Sequence, residues 1–342
     1  MPSNKQVTLN TPLDMHIHLR DEQMLENIAK ASTHTLSGAI IMPNLVPPIS
    51  SKEDVLAYKK RIIKAIDGNK FEPYMTLFFK PTYTKEFLES VRDEITAIKL
   101  YPAGITTNSE GGVSGFDVEE LRPTLEAMAE LNLPLCVHGE TNGFVMDREA
   151  EFVSIYEKLA SAFPKLKIIM EHITTKASVD ALDKFENLYA TITVHHLLIT
   201  LDDVAGGMLQ PHLFCKPIAK RPEDRDALQK IALGAHPKVM YGSDSAPHPQ
   251  HAKESCGCAA GVFTAPIALQ LLTELFEKNN APLEKLQAFI SGNAQKIYGV
   301  KPIAKKVILE KTPFKVPSDY NGVVPMYAGE EIAYSIKEVV DA

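Results

Sequence analysis

The sequence predicts a (β/α)8 barrel of the TIM type with a C-terminal extension. Short apolar runs rich in β-branched residues alternate with amphipathic runs of helical period along most of the 342 residues. Strands separated by helices pair in parallel, and a closed barrel of this kind needs eight of them. The eight candidate strands span residues 13–19, 38–42, 74–79, 97–101, 133–138, 167–172, 189–195 and 238–242.

Amphipathic segments between the strands predict helices, several with acidic residues in the first turn, where a carboxylate interacts favourably with the helix dipole. They span residues 51–66, 85–92, 117–131, 148–163, 176–185 and 222–233, and two further helices, 264–278 and 282–290, follow the last strand. Residues 306–336 predict short strands within an extension of about 300–342 that covers the barrel. No repeat or linker divides residues 1–342, so we expect one domain.

A doubly wound open sheet is the competing architecture. It is not favoured, because neither a Gly-x-Gly-x-x-Gly motif after the first strand nor a Walker loop is present.

Composition excludes several classes of partner. The net charge of -7 gives no basic surface for nucleic acid, and no apolar run reaches the roughly 20 residues of a membrane span. The first ten residues lack a signal-peptide profile, so we expect a cytoplasmic protein without membrane contact. The four cysteines are too few and scattered for a disulfide framework, and Cys256 and Cys258 lack the second pair of a structural zinc site.

His16 and His18 are the strongest indication of chemistry. A strand carrying histidines at i and i+2 turns both imidazoles to one face, which makes half of a divalent metal site. Such a pair alone is as well explained by a solvated strand face. Here apolar residues surround the pair, so the strand is predicted to be buried and its imidazoles need partners.

Four more titratable residues fall at the ends of later strands. Lys99 lies late in the fourth strand, His138 and His172 end the fifth and sixth, and Asp244 follows the eighth. The carboxyl ends of barrel strands form the face where barrel enzymes build their sites. Any one residue could be a satisfied core polar group, but six buried together without a cation would be costly. The set exceeds one tetrahedral zinc site, so two metals fit better.

The motifs in order resemble those of the amidohydrolase superfamily and, within it, closely those of the class II dihydroorotases. The similarity covers most of the chain and is carried by residues 14–20 (DMHIHLR), 42–44 (MPN), 98–102 (IKLYP), 137–140 (VHGE), 170–174 (MEHIT), 242–248 (GSDSAPH) and 255–261 (SCGCAAG). The resemblance implies zinc-dependent, reversible cyclisation of N-carbamoyl-L-aspartate to L-dihydroorotate in pyrimidine (UMP) biosynthesis.

The resemblance also implies a role for each site residue. His16, His18 and Asp244 would hold the more buried of two Zn²⁺ ions, His138 and His172 the other, and an N6-carboxylated Lys99 would bridge both. Asp244 would also be the catalytic base. Arg20, Asn44 and His248 would bind the substrate carboxylate, with backbone near Ala260 and in residues 214–217 contacting the ring amides. Thr106 and Thr107 would belong to a substrate-clamping loop.

The residues themselves agree with these roles but leave alternatives. The guanidinium of Arg20 matches a carboxylate bidentately, although a rim salt bridge is the plainer explanation. Asn44 could be a turn residue and His248 a loop cap. The Gly-, Thr- and Ser-rich residues 103–115 predict a mobile lid. His195 and His196, at the end of the seventh predicted strand, are expected to be structural or to support the metal ligands.

Two other functions stay open from the sequence. One is another cyclic-amide hydrolase of the hydantoinase or allantoinase type, against which Arg20 and Asn44 argue, because a substrate without a carboxylate gives them no partner. The other is a non-catalytic dihydroorotase-like protein, which would be expected to lack some metal ligands. The expected partner is a small-molecule substrate, and a homodimer is left open.

Overall fold

The computed structural model describes residues 5–341, in which a parallel barrel carries a small terminal sheet. Strand β1 (Gln6–Asn10) precedes the barrel. The barrel strands pair in sequence order and in parallel. They are β2 (Leu13–Ile17), β3 (Gly38–Ile41), β4 (Glu72–Phe78), β5 (Ala97–Leu100), β6 (Leu135–Val137), β7 (Ile168–Met170), β8 (Leu188–Ile192) and β9 (Val239–Tyr241). All eight predicted strands are confirmed.

The barrel closes where the segment after β9 meets β2. The amide of Asp244 donates to the carbonyl of His16 at 2.8 Å, and the amide of His18 donates to the carbonyl of Ser245 at 3.1 Å. The seam therefore runs through the predicted metal ligands themselves.

The helices of the structure include all six that were predicted between strands and several that were not. They are α1 (Glu22–Thr33), α2 (Lys52–Ile66), α3 (Lys85–Val91), α4 (Val118–Glu130), α5 (Arg148–Ala162), α6 (Lys176–Ala181), α7 (Val194–Leu198), α8 (Leu201–Ala205), α9 (Pro222–Leu233), α10 (Gln250–Lys253), α11 (Ala268–Lys278), α12 (Leu283–Gln287) and α13 (Asn293–Tyr298). Ser51 caps α2 by accepting from the amide of Asp54, and Pro222 opens α9. None of the helices in residues 5–341 is long and apolar enough to cross a membrane.

The predicted strand 189–195 ends too late. The strand β8 stops at Ile192, and His195 and His196 lie instead in the short helix α7. The cause is Thr193, whose hydroxyl accepts a hydrogen bond from the amide of His196 at 3.0 Å and so caps a helix. The run of β-branched residues that predicted this strand therefore extends beyond the end of the observed strand.

The C-terminal residues form strands, as expected, and join the start of the described chain. They are β10 (Lys305–Glu310), β11 (Phe314–Lys315), β12 (Glu331–Ile332) and β13 (Ser335–Asp341). Antiparallel pairing places β10 between β1 and β13, and β11 pairs with β12. Strand β1 was not predicted from the sequence.

Apolar side chains fill the barrel on both sides of its wall. A small cluster inside the barrel contains Met15, Cys136, Ile169 and Met240, with Ile297 of α13 below them. A larger cluster fills the layer between strands and helices. Packed side chains fill the lower interior, and the predicted site residues gather at the carboxyl ends of the strands.

Candidate active site

A cavity opens at the carboxyl ends of the barrel strands. Its wall includes every predicted site residue except Lys99, which is buried, and His248, which contacts Arg20. The predicted residues in the wall are His16, His18, Arg20, Asn44, Thr106, Thr107, His138, His172, Asp244 and Ala260. The structure therefore brings the predicted set together at one point.

An irregularity in β2 lets both Met15 and His16 reach the barrel interior. Strict alternation would put neighbouring residues on opposite faces, but the pairing of β2 with β3 shifts register between Asp14 and Ile17. Met15 belongs to the interior cluster, while Nδ1 of His16 lies 2.8 Å from Oε2 of Glu171. Such irregularities re-aim side chains next to active sites.

His16, His18 and Asp244 form a buried group of potential metal ligands. The Oδ1 atom of Asp244 lies 3.4 Å from Nε2 of His16 and 3.1 Å from Nε2 of His18. Nδ1 of His16 donates to Glu171, which leaves its Nε2 lone pair free for a cation. Burial lowers the pKa of both histidines and raises that of Asp244. Neutral imidazoles are the form that binds metal.

His138 and His172 face each other beside this group. Nδ1 of His138 lies 3.2 Å from Nε2 of His172, and Nε2 of His138 donates to Glu140 at 2.8 Å. Burial lowers the pKa of His172 well below its usual range. With Nε2 of His138 committed to Glu140, its Nδ1 presents a lone pair, and the two facing nitrogens suit a shared cation.

Lys99 lies beneath these ligands without a hydrogen-bond partner among the described residues. Its side chain is fully buried, and its Nζ makes no hydrogen bond to any residue that the structure describes. Burial lowers the pKa of this amine. A buried, unpaired amine is costly on its own, so the donor set as a whole fits divalent cations with Lys99 among their ligands.

Three site residues have left-handed backbone conformations. The φ angles are 58° at Arg20, 41° at His172 and 43° at Asp244. Residues other than glycine and asparagine rarely adopt such angles, which cost about 1–3 kcal/mol each and cluster at active sites. The surrounding hydrogen bonds must hold these residues in place.

Arg20 and His248 form the other side of the cavity. Nε of Arg20 donates to the carbonyl of Pro247 at 3.1 Å, and one terminal nitrogen lies 3.0 Å from Nε2 of His248. Burial, reinforced by Arg20, lowers the pKa of His248 to about 3, so this histidine is neutral. The same Nε2 lies 3.0 Å from the carbonyl of Ala260. Since one edge of the guanidinium is held, its orientation is fixed.

The loop 103–115 is folded over the cavity. Nδ2 of Asn44 donates to the carbonyl of Thr107 at 3.0 Å, and Nζ of Lys216 donates to that of Ile105 at 3.1 Å. These contacts place Thr106 and Thr107 in the cavity wall. Asn44 therefore anchors the loop in this conformation, a contact that its predicted role at the substrate carboxylate did not include.

Two carboxylates at the site were missed by the sequence analysis. Glu140 and Glu171 are both at least 98% buried and accept from His138 and His16, respectively. Although burial raises the pKa of Glu171, the contact with His16 lowers it overall. The signal that could have found them is their position within two residues of a predicted ligand, since metal-binding histidines usually donate their other nitrogen to a carboxylate.

His195, His196 and Cys215 form a second buried group with metal-ligand chemistry. Nε2 of His196 and Sγ of Cys215 lie 3.0 and 3.2 Å from the carbonyl of Pro217. Two of the three donors are thus already used to hold the segment after Phe214. This contact agrees with the structural role expected for His196.

The barrel and its histidine-rich carboxyl end define a metal-dependent hydrolase class, and the amidohydrolase family model matches residues 78–300. A dihydroorotase of Helicobacter acinonychis is 43% identical over 340 residues, covering 98% of this chain and 99% of that protein. The crystal structure of the Campylobacter jejuni dihydroorotase is 57% identical, with a TM-score of 0.95 and 99% of both chains covered. The Saccharomyces cerevisiae dihydroorotase, solved with 5-fluoroorotic acid, is 34% identical, with a TM-score of 0.90 over 97% of this chain and 98% of that one.

The chain therefore belongs to the dihydroorotase family of amidohydrolases and is a cyclic amide hydrolase. The predicted family, barrel fold and enzyme class are confirmed, in preference to the hydantoinase and non-catalytic alternatives.

Proposed function

We propose that this protein interconverts N-carbamoyl-L-aspartate and L-dihydroorotate, so that it forms the pyrimidine ring by closing an amide. The observation that carries the proposal is the cavity itself, in which a buried ligand group around Asp244 faces the guanidinium of Arg20. Both compounds carry a carboxylate for Arg20 and an amide for the opposite wall. The 5-fluoroorotic acid bound by the yeast relative has the same two features.

We propose further that the site holds two Zn²⁺ ions. His16, His18 and Asp244 would hold one and His138 and His172 the other, with N6-carboxylated Lys99 between them. The ions would lower the pKa of a water and polarise the scissile carbonyl. The converging histidines, the buried Lys99 without a hydrogen-bond partner among the described residues, and the carboxylates beside His16 and His138 support this arrangement.

The residues of the chain would bind and orient the substrate and move its proton. Arg20 would bind the carboxylate, with its guanidinium already oriented by Pro247 and His248. In hydrolysis, Asp244 would accept the proton of the attacking water and pass it to the leaving ring nitrogen. Ring closure would reverse these transfers. Thr106 and Thr107 would cover the substrate and exclude bulk water.

Replacing the proposed base tests this assignment. Asp244→Asn should keep the fold and the binding of 5-fluoroorotate but lose turnover in both directions by at least about 100-fold, because an amide cannot accept the proton. Circular dichroism, titration with 5-fluoroorotate and steady-state kinetics of both directions measure the three effects. Asp67→Asn, at an exposed carboxylate, is the matched control. Turnover of Asp244→Asn near that of the control would require another base.

A further inference from the structure

Lys253, the last residue of α10, has a buried ammonium group beside the cavity. Only 3% of the residue is exposed. Its Nζ donates to three backbone carbonyls, those of Phe214 at 2.9 Å, Ala259 at 2.7 Å and Gly261 at 2.7 Å. A lysine ammonium has three N–H donors, so these contacts use all of them. No carboxylate in residues 5–341 forms an ion pair with this lysine.

The three carbonyls belong to two segments that form one wall of the cavity. Ala260 lies between Ala259 and Gly261 and lines the cavity together with Gly261. The amide of Gly261 also donates to the carbonyl of Phe214 at 2.9 Å. A side chain at Gly261 would place its Cβ 2.4 Å from the carbonyl of Ala246, so the segment packs closely against Ala246. The ammonium therefore joins the segments where their backbone meets the cavity.

Another buried lysine shows that this arrangement is not a general property of buried amines. Lys305 is 2% exposed and lies far from the cavity, in the terminal sheet. It donates to one carbonyl, that of His34 at 3.1 Å, and has a carboxylate, Asp341, at 3.8 Å. Lys253 instead uses every donor on the backbone of two segments that contain cavity-wall residues, Lys216 in one and Ala260 and Gly261 in the other.

We propose that Lys253 is a positioning residue, whose ammonium fixes the backbone at Ala260 so that it pairs with the ring amide of the substrate. The inference rests on the proposed contact between this backbone and the substrate ring. A planar ring with alternating N–H and C=O groups requires partners at fixed spacing, and a displacement of ~1 Å at a binding group can cost up to about 100-fold. Lys253 donates its hydrogen bonds only to backbone carbonyls.

The test compares a ligand that has the ring with one that lacks it. The probe 5-fluoroorotate carries a carboxylate and ring amides, whereas succinate carries carboxylates alone. In zinc-loaded protein, Lys253→Met should weaken 5-fluoroorotate at least about tenfold while weakening succinate less than about threefold, because ~1 Å of misplacement affects only the ring contacts. Zinc content should not change. Lys305→Met, which also removes a buried lysine, should leave both affinities unchanged.

Three outcomes decide the matter. An equal loss of affinity for both ligands would mean that Lys253 acts through general electrostatics. A lowered melting temperature with unchanged affinities would mean that it contributes to stability alone. Either result overturns the proposal. If Lys253→Met does not fold, Lys253→Gln, which keeps two N–H donors, should still show the selective loss, and wild-type affinities in that variant would also overturn it.

A further variant separates this inference from the proposed function. Arg20→Met should weaken both ligands, since both carry the carboxylate that Arg20 would bind. If it does so while Lys253→Met changes neither, only the positioning role fails. If Arg20→Met changes neither ligand, the proposed binding site is wrong.

Discussion

At the scale of single residues, Lys99 combines complete burial with an amine that has no hydrogen-bond partner within residues 5–341. Burial favours the neutral amine, and a neutral amine can react with CO2 to give a carbamate. A carbamate carries the negative charge that two adjacent cations need between them. Burying an amine without a hydrogen bond is costly for the side chain alone, but the neutral amine that results is the form that the proposed metal site requires.

Removing this side chain should separate metal binding from folding. We expect Lys99→Ala to be inactive and to have a zinc content below about two ions per chain, since the bridging ligand is missing. A short carboxylic acid such as propionate should fit the vacated space and restore part of both zinc content and activity. Elemental analysis with and without propionate measures the first effect. Lys305→Ala is the control, and we expect it to keep two zinc ions and not to respond to propionate. Full zinc occupancy in Lys99→Ala would contradict the proposed bridging role of Lys99.

Single residues could be predicted from the sequence where neighbouring residues in the chain determine their position. His138, His172 and Asp244 follow apolar strands directly, so the barrel rule placed them correctly. The joint placement of Met15 and His16 inside the barrel depends on the register shift in β2, which arises from pairing with β3 and leaves no mark in the composition. Lys253 could not be found, because its partners are backbone atoms from two distant segments.

At the scale of elements, the loop 103–115 is held at its base by one close contact between backbone segments. Val113 donates to the carbonyl of Tyr101 at 2.8 Å, and the intervening turn is closed by Ser109. At Gly112 an added Cβ would lie 2.3 Å from the carbonyl of Tyr101, whereas at the adjacent Gly111 it would meet nothing within 4 Å. Neighbouring glycines therefore differ sharply in what they tolerate.

This difference gives a matched pair of variants for the loop. Gly112→Ala should displace the base of the loop and withdraw Thr106 and Thr107 from the cavity, raising KM and lowering kcat by about tenfold or more, as is common when a closing loop is disturbed. Zinc content should stay the same, because the threonines do not belong to the ligand groups. Gly111→Ala should behave as wild type. Equal kinetics for the two variants would mean that the loop conformation does not control turnover.

The elements that the sequence predicted correctly are those with strong local periodicity. The eight barrel strands and the helix at 222–233 follow directly from apolar pattern and Pro222. Strand β1 alternates exposed and buried residues, but its partner β10 is about 300 residues away, and no turn signal announces such a pairing. The short helix α7 was missed because the β-branched residues 191–194 predict a strand until Thr193 is recognised as a helix cap.

At the scale of the whole molecule, Glu277 ties the terminal segments to the barrel. Its carboxylate accepts from Lys5 at 2.9 Å and from Lys311 at 2.8 Å, and its side chain is 24% exposed. Hydrogen bonds to Lys311 and Lys5 lower its pKa from 4.5 to about 2. Because the folded pKa is depressed, the stabilisation is complete above about pH 4.5 and is lost as the pH falls towards 2.

The acid limb of the stability profile should therefore depend on this residue. Glu277→Gln should lower the free energy of unfolding at pH 7 by about 1–2 kcal/mol, allowing for solvent screening, and should reduce its loss between pH 4.5 and 2. Urea unfolding at several pH values measures both effects. Glu130→Gln, which breaks an exposed pair with Lys85, should change stability less. An unchanged acid limb in Glu277→Gln would place the pH dependence elsewhere.

The cytoplasmic location, the single-domain organisation and the open question of a homodimer stay predictions for the molecule as a whole. Each concerns surroundings or boundaries rather than contacts within the chain.

The pairing of β1 with β10 sets an order of events during synthesis on the ribosome. Residues opposite each other in this pair, such as Gln6 and Glu310, are about 300 residues apart, which corresponds to roughly 15–60 seconds of translation at ~5–20 residues per second. Throughout that interval the apolar side chains of Val7 and Leu9 have no partner strand. Neighbouring barrel strands can pair as they emerge, so the earliest segment of the sheet to be translated is among the last to find its place. The nascent N-terminal region is therefore where we expect chaperones to bind while the chain is being made.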